Sequence, residues 1–447
     1  MTFPITDRTP IRFPGPPPAD ADVVVIGGGV IGVMTAWFLR DQGLRVTLCE
    51  KGRIAGEQSS RNWGWVRQQG RDPAELPIMV ESMRIWQRLA QEIGPGLGFR
   101  QTGVLYLADS VAQMARYEGW LPHARANGVD TRALSAAQVA ALLPQAARTW
   151  TGGLWTASDA RAEPWVAVPT LAQAAARRGV TLVESCAVRA LDIAAGRVAG
   201  VVTEQGRIRA GRVVVAAGAW SRLFLGAHGV RLPQLSVLAT VAATAALPSV
   251  FDGAATDSAF AFRRRADGGY TLAPSDHHDF FPGRDALASL RAFWPVVQQD
   301  WRHTVLHPFA PKGFPDAWST PRRWSPDAAT PFERCRILNP APNGRIIQRL
   351  RDDFALRFPA LGRPPLTAAW AGMIDTLPDV VPVVDHVAAI PGLTVATGMS
   401  GHGFGIGPGM GRVVAALVTG TDPGHDLSRF RLARFSDGTR LRPGPSL

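Results

Sequence analysis

The chain has 447 residues, of which 46% are apolar and 19% are charged. This composition is typical of a folded globular protein with an ample core, and it excludes a largely disordered chain. The net charge is +12, and 46 of the 48 basic residues are arginine, since lysine occurs only as Lys51 and Lys312. The arginines are scattered, whereas a nucleic-acid site needs a concentrated basic stripe. We therefore attribute the charge to composition and predict no nucleic-acid partner.

The cysteines and the N-terminal region bear on the compartment. Cys49, Cys186 and Cys335 form no CxxC pair, so they indicate neither a disulfide framework nor a zinc site. Residues 1–20 are rich in proline and lack the apolar core of a signal peptide, so we predict a flexible segment there. The apolar stretch Val23–Leu39 contains four glycines, which argues against a membrane span. These features predict a cytoplasmic protein.

Residues 22–50 have the pattern of a βαβ unit. Val23–Ile26 is a short β-branched run typical of a buried parallel strand, residues 33–42 have a helical composition, and a second apolar strand, Leu44–Cys49, ends at Glu50. Three glycines of a GxGxxG pattern join the first strand to the helix: Gly27, Gly29 and Gly32. In such a unit they allow a tight turn, close approach of a pyrophosphate, and close packing of the helix on the strand.

This unit indicates a dinucleotide site. The N-terminus of the helix favours the phosphate charge. Glu50, at the end of the second strand, is positioned to accept hydrogen bonds from the ribose hydroxyls of an adenosine and would repel the 2′-phosphate of NADP. The alternative is a glycine-rich turn without a ligand, and the presence of strand, helix and terminal acid together argues against it.

Two later segments favour a flavin over a nicotinamide. Residues 212–221 and Leu393–Gly398 are buried strands that end in small residues, and strands are also predicted at 181–184 and 197–203, around Val188. Gly398–Gly411 contains seven glycines and precedes a predicted helix at 412–418. Backbone amides and a helix N-terminus in that stretch can stabilise the anionic edge of a reduced flavin. A nicotinamide enzyme needs no second site of this type.

Taken together, these segments resemble the D-amino-acid oxidase superfamily of FAD-dependent oxidoreductases, which includes sarcosine, glycine and opine oxidases and D-amino-acid dehydrogenases. The matching segments are Val23–Gly32, Glu50–Gly52, Val213–Ser221, Trp370–Asp379 and Ala396–Gly411. The resemblance implies an α/β fold with a Rossmann-like FAD-binding domain from residues 21–90, 150–230 and 366–447. It also implies an α+β substrate domain with an antiparallel sheet from residues 91–149 and 231–365.

The resemblance further assigns cofactor roles to individual positions. Gly27, Gly29 and Gly32 would hold the pyrophosphate, and Glu50 and Lys51 would lie at the adenosine. The remaining positions are expected to line the flavin, the ribityl chain or the adenine: Ser59, Ser60, Arg61, Asn62, Val188, Gly218, Trp220, Gly401, His402, Gly403, Phe404 and Gly405. Relatives with covalent FAD use a histidine or a cysteine that the corresponding segments lack here, so non-covalent FAD is implied. Some oxidases of the family also use a lysine near the flavin, and with two lysines in the chain the acceptor, oxygen or another, stays open.

The stretch from position 61 to 71 is the strongest candidate for substrate binding. We predict that Arg67 anchors a substrate carboxylate, because a guanidinium fork binds a carboxylate in two places. A surface position or a flavin-phosphate contact is the alternative for Arg67. Trp63 and Trp65 are candidates for the pocket wall, or for packing alone. His402, between two glycines, is a candidate for flavin or substrate contact or for a structural hydrogen bond.

Other motifs are assigned weaker roles. Trp370 and Asp375, just before the flavin loop, are candidate pocket residues. Residues 260–272 alternate around a glycine turn and predict a hairpin. We expect Arg263 and Arg265 to be solvated there, and a position facing the pocket is the alternative for either one. Asp276–Asp279 contains two histidines, but consecutive residues on a loop rarely bind one ion, so no metal is predicted. Ser400 lacks the final glycine of a GxSxG elbow, which argues against a hydrolase.

These observations favour an FAD-dependent oxidoreductase that oxidises a C–N bond in an amino acid or secondary amine and passes the electrons to oxygen or another acceptor. A small amine or amino acid is then the expected substrate. An RNA-modifying flavoprotein is one alternative, and it would need a concentrated arginine surface and an appended RNA module. A subunit of a multi-component dehydrogenase is another, with an electron-acceptor protein or partner subunit.

Overall fold

The structure, a computed structural model, describes residues 3–300 and 303–444. The strands are β1 Val23–Ile26, β2 Val46–Cys49, β3 Trp65–Val66, β4 Arg100–Gln101, β5 Val104–Ala108, β6 Arg132–Ser135, β7 Gly152–Thr156, β8 Ala160–Arg161, β9 Thr181–Val183, β10 Val188–Ala194, β11 Arg197–Thr203, β12 Gly206–Arg209, β13 Val213–Val215, β14 Leu235–Thr244, β15 Ala254–Thr256, β16 Phe260–Arg264, β17 Tyr270–Pro274, β18 His278–Phe280, β19 Thr304–Leu306, β20 Leu366–Thr376, β21 Val383–His386 and β22 Leu393–Thr397. The helices are α1 Val30–Asp41, α2 Gln58–Arg61, α3 Leu76–Ile93, α4 Val111–Glu118, α5 Leu121–Ala126, α6 Ala136–Leu142, α7 Pro164–Arg177, α8 Ser221–Ala227, α9 Arg284–Asp300, α10 Pro331–Arg334, α11 Gly344–Arg357 and α12 Gly403–Thr419.

The first layer is a six-stranded sheet in the order β21-β22-β13-β1-β2-β9, parallel except for β21. All four residues of β1 and of β2 are buried, as expected of a parallel sheet covered on both faces. The predicted βαβ unit and the strands at 181–184 and 393–398 are confirmed. Of the strand predicted at 212–221, Val213–Val215 is present as β13, and a short 3-10 helix at Gly218–Trp220 and α8 follow it. The carboxyl ends of β1, β2, β13 and β22 therefore share one edge, where α/β sheets bind their ligands.

Helix α12 begins at Gly403, nine residues before the helix predicted at 412–418. Most of the glycine-rich segment is thus helical, and the irregular loop is confined to residues 398–402. The helix can form because its glycines face neighbouring helices at close range. A Cβ on Gly411 would lie 2.5 Å from the Met34 Cβ of α1, and one on Gly409 would lie 2.6 Å from the Ile78 oxygen of α3. None of the helices within 3–300 and 303–444 is both long and apolar enough to cross a membrane.

The second layer is a ten-stranded, mainly antiparallel sheet in which β14 pairs with β20 over ten residues. The hairpin predicted at 260–272 is present as β16 and β17. Two strands that we assigned to the FAD-binding segments, β7 and β20, belong to this sheet, because β7 pairs with β5 and β6 and β20 pairs with β14. With this change, the division into an FAD-binding part and a substrate part stays a prediction.

The segment before β1 lies against the first layer and does not extend into solvent. Ile5 is 2% exposed, and the main-chain amide of Arg12 donates to the Glu184 carboxylate at 2.6 Å. The main-chain oxygen of Ile5 also accepts from Arg61 at 3.0 Å. Ile5 and these long-range hydrogen bonds tie part of the described residues 3–20 to the first layer, and the flexibility predicted for residues 1–20 stays a prediction.

Candidate functional site

One large cavity of about 1540 Å³ connects the edge of the six-stranded sheet with the ten-stranded sheet. It begins at the turn after β1, passes the ends of β2, β13 and β22, and continues between α4 and β14. A pocket for one drug-sized ligand measures roughly 300–1,000 Å³, so this cavity has room for a large cofactor beside a small substrate.

The glycine turn after β1 forms one end of the cavity. Gly27 has φ +110°, and a Cβ there would collide with the Ala216 oxygen at the end of β13, so only glycine permits this path. Gly28 and Gly29 line the cavity. The Ser59 Oγ accepts from the Val30 amide in the first turn of α1 at 2.9 Å. Gly32 lies outside the cavity lining and touches the Gly27 oxygen, so its role is helix packing rather than contact with a ligand.

Glu50 follows β2 and has its carboxylate at the turn. Its two oxygens accept from the main-chain amides of Gly28 and Gly52, each at 2.7 Å. Burial raises the pKa of this carboxyl to about 7. Two amides fix the direction of the carboxylate, and its remaining lone pairs face the cavity, where ribose hydroxyls could donate to them.

Lys51 is engaged by protein groups. Its ammonium donates to the Glu57 carboxylate at 2.8 Å and to the main-chain oxygens of Cys335 and Arg336 at 2.7 and 2.9 Å. It also lies 4.2 Å from the centre of a Trp220 ring, whose Nε1 donates to Glu57. Three donors of an ammonium are then occupied, so Lys51 holds the wall of the cavity together.

The predicted lining residues 59–62 divide into two kinds. Ser59, Arg61 and Asn62 line the cavity, whereas Ser60 is fully buried outside its lining. The Arg61 guanidinium donates to the main-chain oxygens of Ile5, Gly56 and Ala371, and burial lowers its pKa to about 10. The Asn62 side chain bonds within its own turn. These side chains fix the local backbone. The prediction that Ser60 lines the cavity is wrong.

Asp375 lies at the middle of the cavity, near the end of β22. Its buried carboxylate accepts from Gln234 Nε2 at 2.8 Å and from the Gly398 amide at 2.9 Å, and burial raises its pKa. The Gly218 oxygen accepts from the same Gln234 amide at 3.3 Å. Val188, Gly218, Trp220 and Asp375 all line the cavity. Asp375 therefore orders the start of the loop at 398–402.

The loop at 398–402 leads into α12 and contributes Gly401, His402, Gly403, Phe404 and Gly405 to the lining. The main-chain oxygen of His402 accepts from the buried Arg71 guanidinium at 2.9 Å, and Arg71 also donates to the Arg67 oxygen at 3.2 Å. Burial, together with the nearby Arg67 and Arg71 charges, lowers the pKa of His402 well below its usual value. His402 is thus a neutral imidazole in the cavity wall at physiological pH.

Arg67 follows β3 and lies beside a row of aromatic rings. Trp63 and Trp65 meet edge to face at 5.5 Å, Trp65 lies 6.4 Å from Tyr106, and the Arg67 guanidinium lies 5.7 Å from the Tyr106 ring centre. Arg67 donates to the main-chain oxygen of Gln69. Within the described ranges it forms no ion pair with an acidic side chain, so its charge is available to a ligand.

Three predicted positions lie elsewhere. Trp370 is 1% exposed, donates to the Arg61 oxygen at 2.9 Å and packs on Phe3, so it belongs to the core and not to the pocket. Arg263 and Arg265 were expected in solvent but are 0% and 5% exposed. Arg263 forms two hydrogen bonds with the Glu163 carboxylate, and Arg265 donates to main-chain oxygens of β14 and β17. Internal partners explain their burial.

Sequence reasoning missed several lining residues, among them Gln58, Arg71, Gln113, Tyr106 and Tyr117. Tyr106 and Tyr117 lie in ordinary amphipathic segments, and only the folded sheet brings their rings to 5.9 Å from each other. Arg71 could have been suspected from its place in the Arg-rich stretch after β3.

At Asp276–Asp279, the Asp279 carboxylate is bonded by His307 at 2.6 Å. The described part of the chain contains no set of three His, Cys, Asp or Glu side chains arranged to bind a metal.

The cavity is suited to a flavin dinucleotide at the turn after β1. The glycine turn leaves open space next to the first amides of α1, Glu50 presents a carboxylate at the end of β2, and the α12 N-terminus faces the far end. A family model described as FAD dependent oxidoreductase (DAO) matches residues 22–417. The chain belongs to this family of FAD-dependent oxidoreductases.

Relatives and solved structures are similar over most of the chain. Sarcosine oxidase subunit beta of Rhizobium meliloti is 26% identical over 434 residues, which cover 96% of this chain and 91% of that protein. L-Amino acid deaminase from Proteus myxofaciens, solved in complex with anthranilate, aligns with a TM-score of 0.90 and 29% identity over 95% of each chain. Mitochondrial sarcosine dehydrogenase of Homo sapiens is 30% identical over 230 residues, or 50% of this chain, and the match spans about a quarter (25%) of that protein.

Proposed function

We propose that the protein oxidises the C–N bond of an amino acid with a free carboxylate, using non-covalently bound FAD. The observation that carries this proposal is the position of Arg67. It is an arginine without an acidic partner among the described residues, in the same cavity as the dinucleotide turn and next to the loop at 398–402. Two relatives are named for sarcosine or for L-amino acids as substrates, and these names support this substrate class.

The residues of the chain would orient the substrate and exclude water. Arg67 binds the carboxylate, and the rings of Trp63, Trp65 and Tyr106 shield the reacting carbon from solvent. His402, as a neutral imidazole, adds no positive charge that would repel a protonated amine. When bound, FAD would take up a hydride, that is two electrons and one proton, from the substrate carbon next to the nitrogen. The substrate nitrogen loses one proton to solvent, and water hydrolyses the resulting imine to a carbonyl compound and ammonia or an amine.

A non-covalent cofactor is supported by the groups near the cavity. Position 59–62 provides serine, arginine and asparagine side chains, which are poor candidates for a flavin linkage. Cys49, Cys186 and Cys335 are free thiols, and Cys49 and Cys186 are 1% and 0% exposed. Free thiols also suit the reducing conditions of the cytoplasm, which we propose as the location.

A second candidate role is a subunit of a multi-component dehydrogenase. Lys51 lines the cavity but its ammonium is occupied by Glu57 and two main-chain oxygens, so it is not available to promote a reaction with oxygen. This favours an acceptor other than oxygen. The match to a sarcosine oxidase subunit over 91% of its length is in line with a partner subunit.

Product analysis tests the proposed reaction. The purified protein with added FAD is incubated with D- and L-amino acids, N-alkyl amino acids, opines and simple amines, with a dye as electron acceptor. From one class of amino acid we expect a carbonyl product, such as a 2-oxo acid, and ammonia or an amine. The two products should form in equal amounts. Dye reduction without release of ammonia or an amine, or no dye reduction with any of these compounds, would contradict the proposal.

A further inference from the structure

We propose that Asp159 is the positioning residue for Arg67, and thereby sets the affinity for the substrate carboxylate. The inference rests on the proposed function, since it takes Arg67 as the carboxylate anchor. Asp159 lies between β7 and β8 and does not line the cavity, so it makes no direct contact with a substrate there.

The register of the small sheet places the two residues opposite each other. Strands β3 and β8 are antiparallel, with Trp65 across from Arg161 and Val66 across from Ala160. One step further along this register, Arg67 faces Asp159. The Asp159 main chain is fixed from its other side, since its oxygen accepts from the Gly103 amide at 2.9 Å.

The carboxylate of Asp159 holds the chain that follows Arg67. It accepts from the Gln68 amide at 2.6 Å, from the Gln69 amide at 3.3 Å and from the Gln68 side chain at 3.3 Å. The oxygen of that same Gln69 accepts from the Arg67 guanidinium. Asp159 therefore fixes the Gln68–Gln69 peptide, and the Gln69 oxygen in turn fixes one edge of the Arg67 guanidinium. Because the guanidinium is planar and rigid, the direction of its other edge is then fixed as well.

This carboxylate is unusual because it is buried without a cation. Asp159 is 0% exposed, and in the described ranges no arginine, lysine or histidine lies within ion-pair distance of it. A buried carboxylate that is satisfied only by amides is costly compared with a neutral side chain. Burial accordingly raises its pKa to about 7, although three hydrogen bonds and the nearby Arg67 charge oppose the shift. A buried carboxylate without a direct ion pair is explained if it orients a functional segment.

Two roles for Asp159 predict opposite results. If Asp159 only contributed its negative charge near Arg67, removal of that charge would strengthen the binding of an anion. If Asp159 positions Arg67, removal weakens the binding, because the Gln68–Gln69 peptide and the guanidinium lose their fixed direction. Asn is close in size to Asp and keeps one acceptor oxygen, so Asp159→Asn changes the charge and one hydrogen bond with little change in volume.

The experiment measures binding of benzoate and of its neutral analogue benzamide to the FAD-loaded protein by the change in flavin absorbance. We expect Asp159→Asn to raise the Kd of benzoate about tenfold, the size of one charge-assisted hydrogen bond, and to leave that of benzamide unchanged. With an amino-acid substrate, KM should rise and kcat should stay within about twofold, which is the sign of lost uniform binding. A merely structural role would change both ligands alike.

The matched control is Asp130→Asn. Asp130 accepts from the amide and hydroxyl of Ser158, the residue before Asp159, at 3.0 and 2.6 Å. It is linked to Gln68 through that hydroxyl, which accepts from Gln68 Nε2 at 3.0 Å, so Asp130→Asn should raise the Kd of benzoate much less than Asp159→Asn. Thr156→Val is a second variant, which removes the hydroxyl that donates to the Gln69 side chain at 2.7 Å, and it should weaken benzoate binding in the same direction. It keeps the test decisive if Asp159→Asn does not fold.

Arg67→Met distinguishes the two proposals. If Arg67→Met leaves benzoate binding unchanged, the carboxylate anchor of the proposed function is wrong. If Arg67→Met weakens benzoate but Asp159→Asn and Thr156→Val do not, or if Asp159→Asn binds benzoate more tightly, the positioning role of Asp159 is overturned and the anchor stands. An equal loss in Asp130→Asn would likewise overturn it.

Discussion

The Arg71 guanidinium joins the two sides of the candidate site, because it donates to the main-chain oxygen of His402 at 2.9 Å and to that of Arg67 at 3.2 Å. Its third contact is the Glu75 carboxylate at 3.2 Å, and both side chains of this ion pair are 2% exposed. Arg67, which follows β3, and the loop before α12 are therefore held by one side chain.

Arg71→Met should destabilise the protein by about 3–5 kcal/mol, because it leaves Glu75 as a buried charge without its partner. The loss is measured as the free energy of unfolding in urea. The double variant Arg71→Met/Glu75→Gln should recover a large part of it, since both charges are then absent. If the double variant is as unstable as the single one, the ion pair is not the cause.

Gly411→Ala should destabilise the protein by about 1–3 kcal/mol, because the added methyl would lie 2.5 and 2.6 Å from the Met34 Cβ and carbonyl carbon of α1. Gly226→Ala is the matched control. Gly226 lies in helix α8 with open space around its Cβ position, so alanine there should be neutral or stabilise by up to about 1 kcal/mol. The thermal unfolding midpoints of both variants check the prediction. If Gly411→Ala and Gly226→Ala have equal midpoints, α12 and α1 do not pack as closely as described.

Arg67→Met should raise KM for amino acids by roughly 30- to 150-fold with little change in kcat, as expected from the loss of about 2–3 kcal/mol of charged hydrogen bonding to a carboxylate. The decarboxylated amine of the same substrate should react equally slowly with wild type and variant. Arg100→Met is the control, because Arg100 is an exposed residue on β4, the other neighbour of β8. A KM unchanged by Arg67→Met would exclude Arg67 as the anchor.

Two histidines should make the protein less stable in acid. Burial lowers the pKa of His228 to about 4, and that of His402 also lies well below its usual value. As pH falls below about 6.5, the unfolded chain therefore binds protons that the folded chain does not. The contribution of these histidines to the free energy of unfolding is at its full value above about pH 6.5 and decreases as pH falls. The carboxyls of Glu50 and Asp159, with pKa raised to about 7, act in the opposite direction, since their contribution is lost as pH rises.

His228→Gln isolates the histidine effect, because Gln can still accept from the Leu191 amide as His228 does at 3.2 Å. Between pH 7 and 5, wild type should lose roughly 2 kcal/mol more stability than this variant. The measurement is urea unfolding at the two pH values. Parallel pH profiles for the two proteins would show that His228 is protonated in the folded state.

The dinucleotide end of the site was predictable because its constraints are local. A β-branched strand, a turn that only glycine permits at Gly27, a helix and the acid Glu50 follow each other within thirty residues, and each type of residue is required by its own backbone position. The same holds for the hairpin β16–β17, where alternation and a glycine turn coincide.

The rest depended on partners far along the chain. The glycines of 403–411 predict a loop because glycine disfavours helices, whereas α1 and α3 require small residues on α12 for close contact. Arg263 is buried because Glu163, a hundred residues earlier, pairs with it, and Trp370 faces Phe3 rather than the cavity. Tyr106 belongs to the site only through the pairing of β5 in the large sheet. No local pattern encodes these contacts.

Anaerobic mixing of the FAD-loaded protein with amino acids tests the central claim most directly. If the protein oxidises the C–N bond of an amino acid, one class of amino acid will bleach the flavin absorbance band in a single turnover, and the matching decarboxylated amine will do so far more slowly. A protein that takes up no FAD, or a flavin band that no amino acid or amine bleaches, would contradict it.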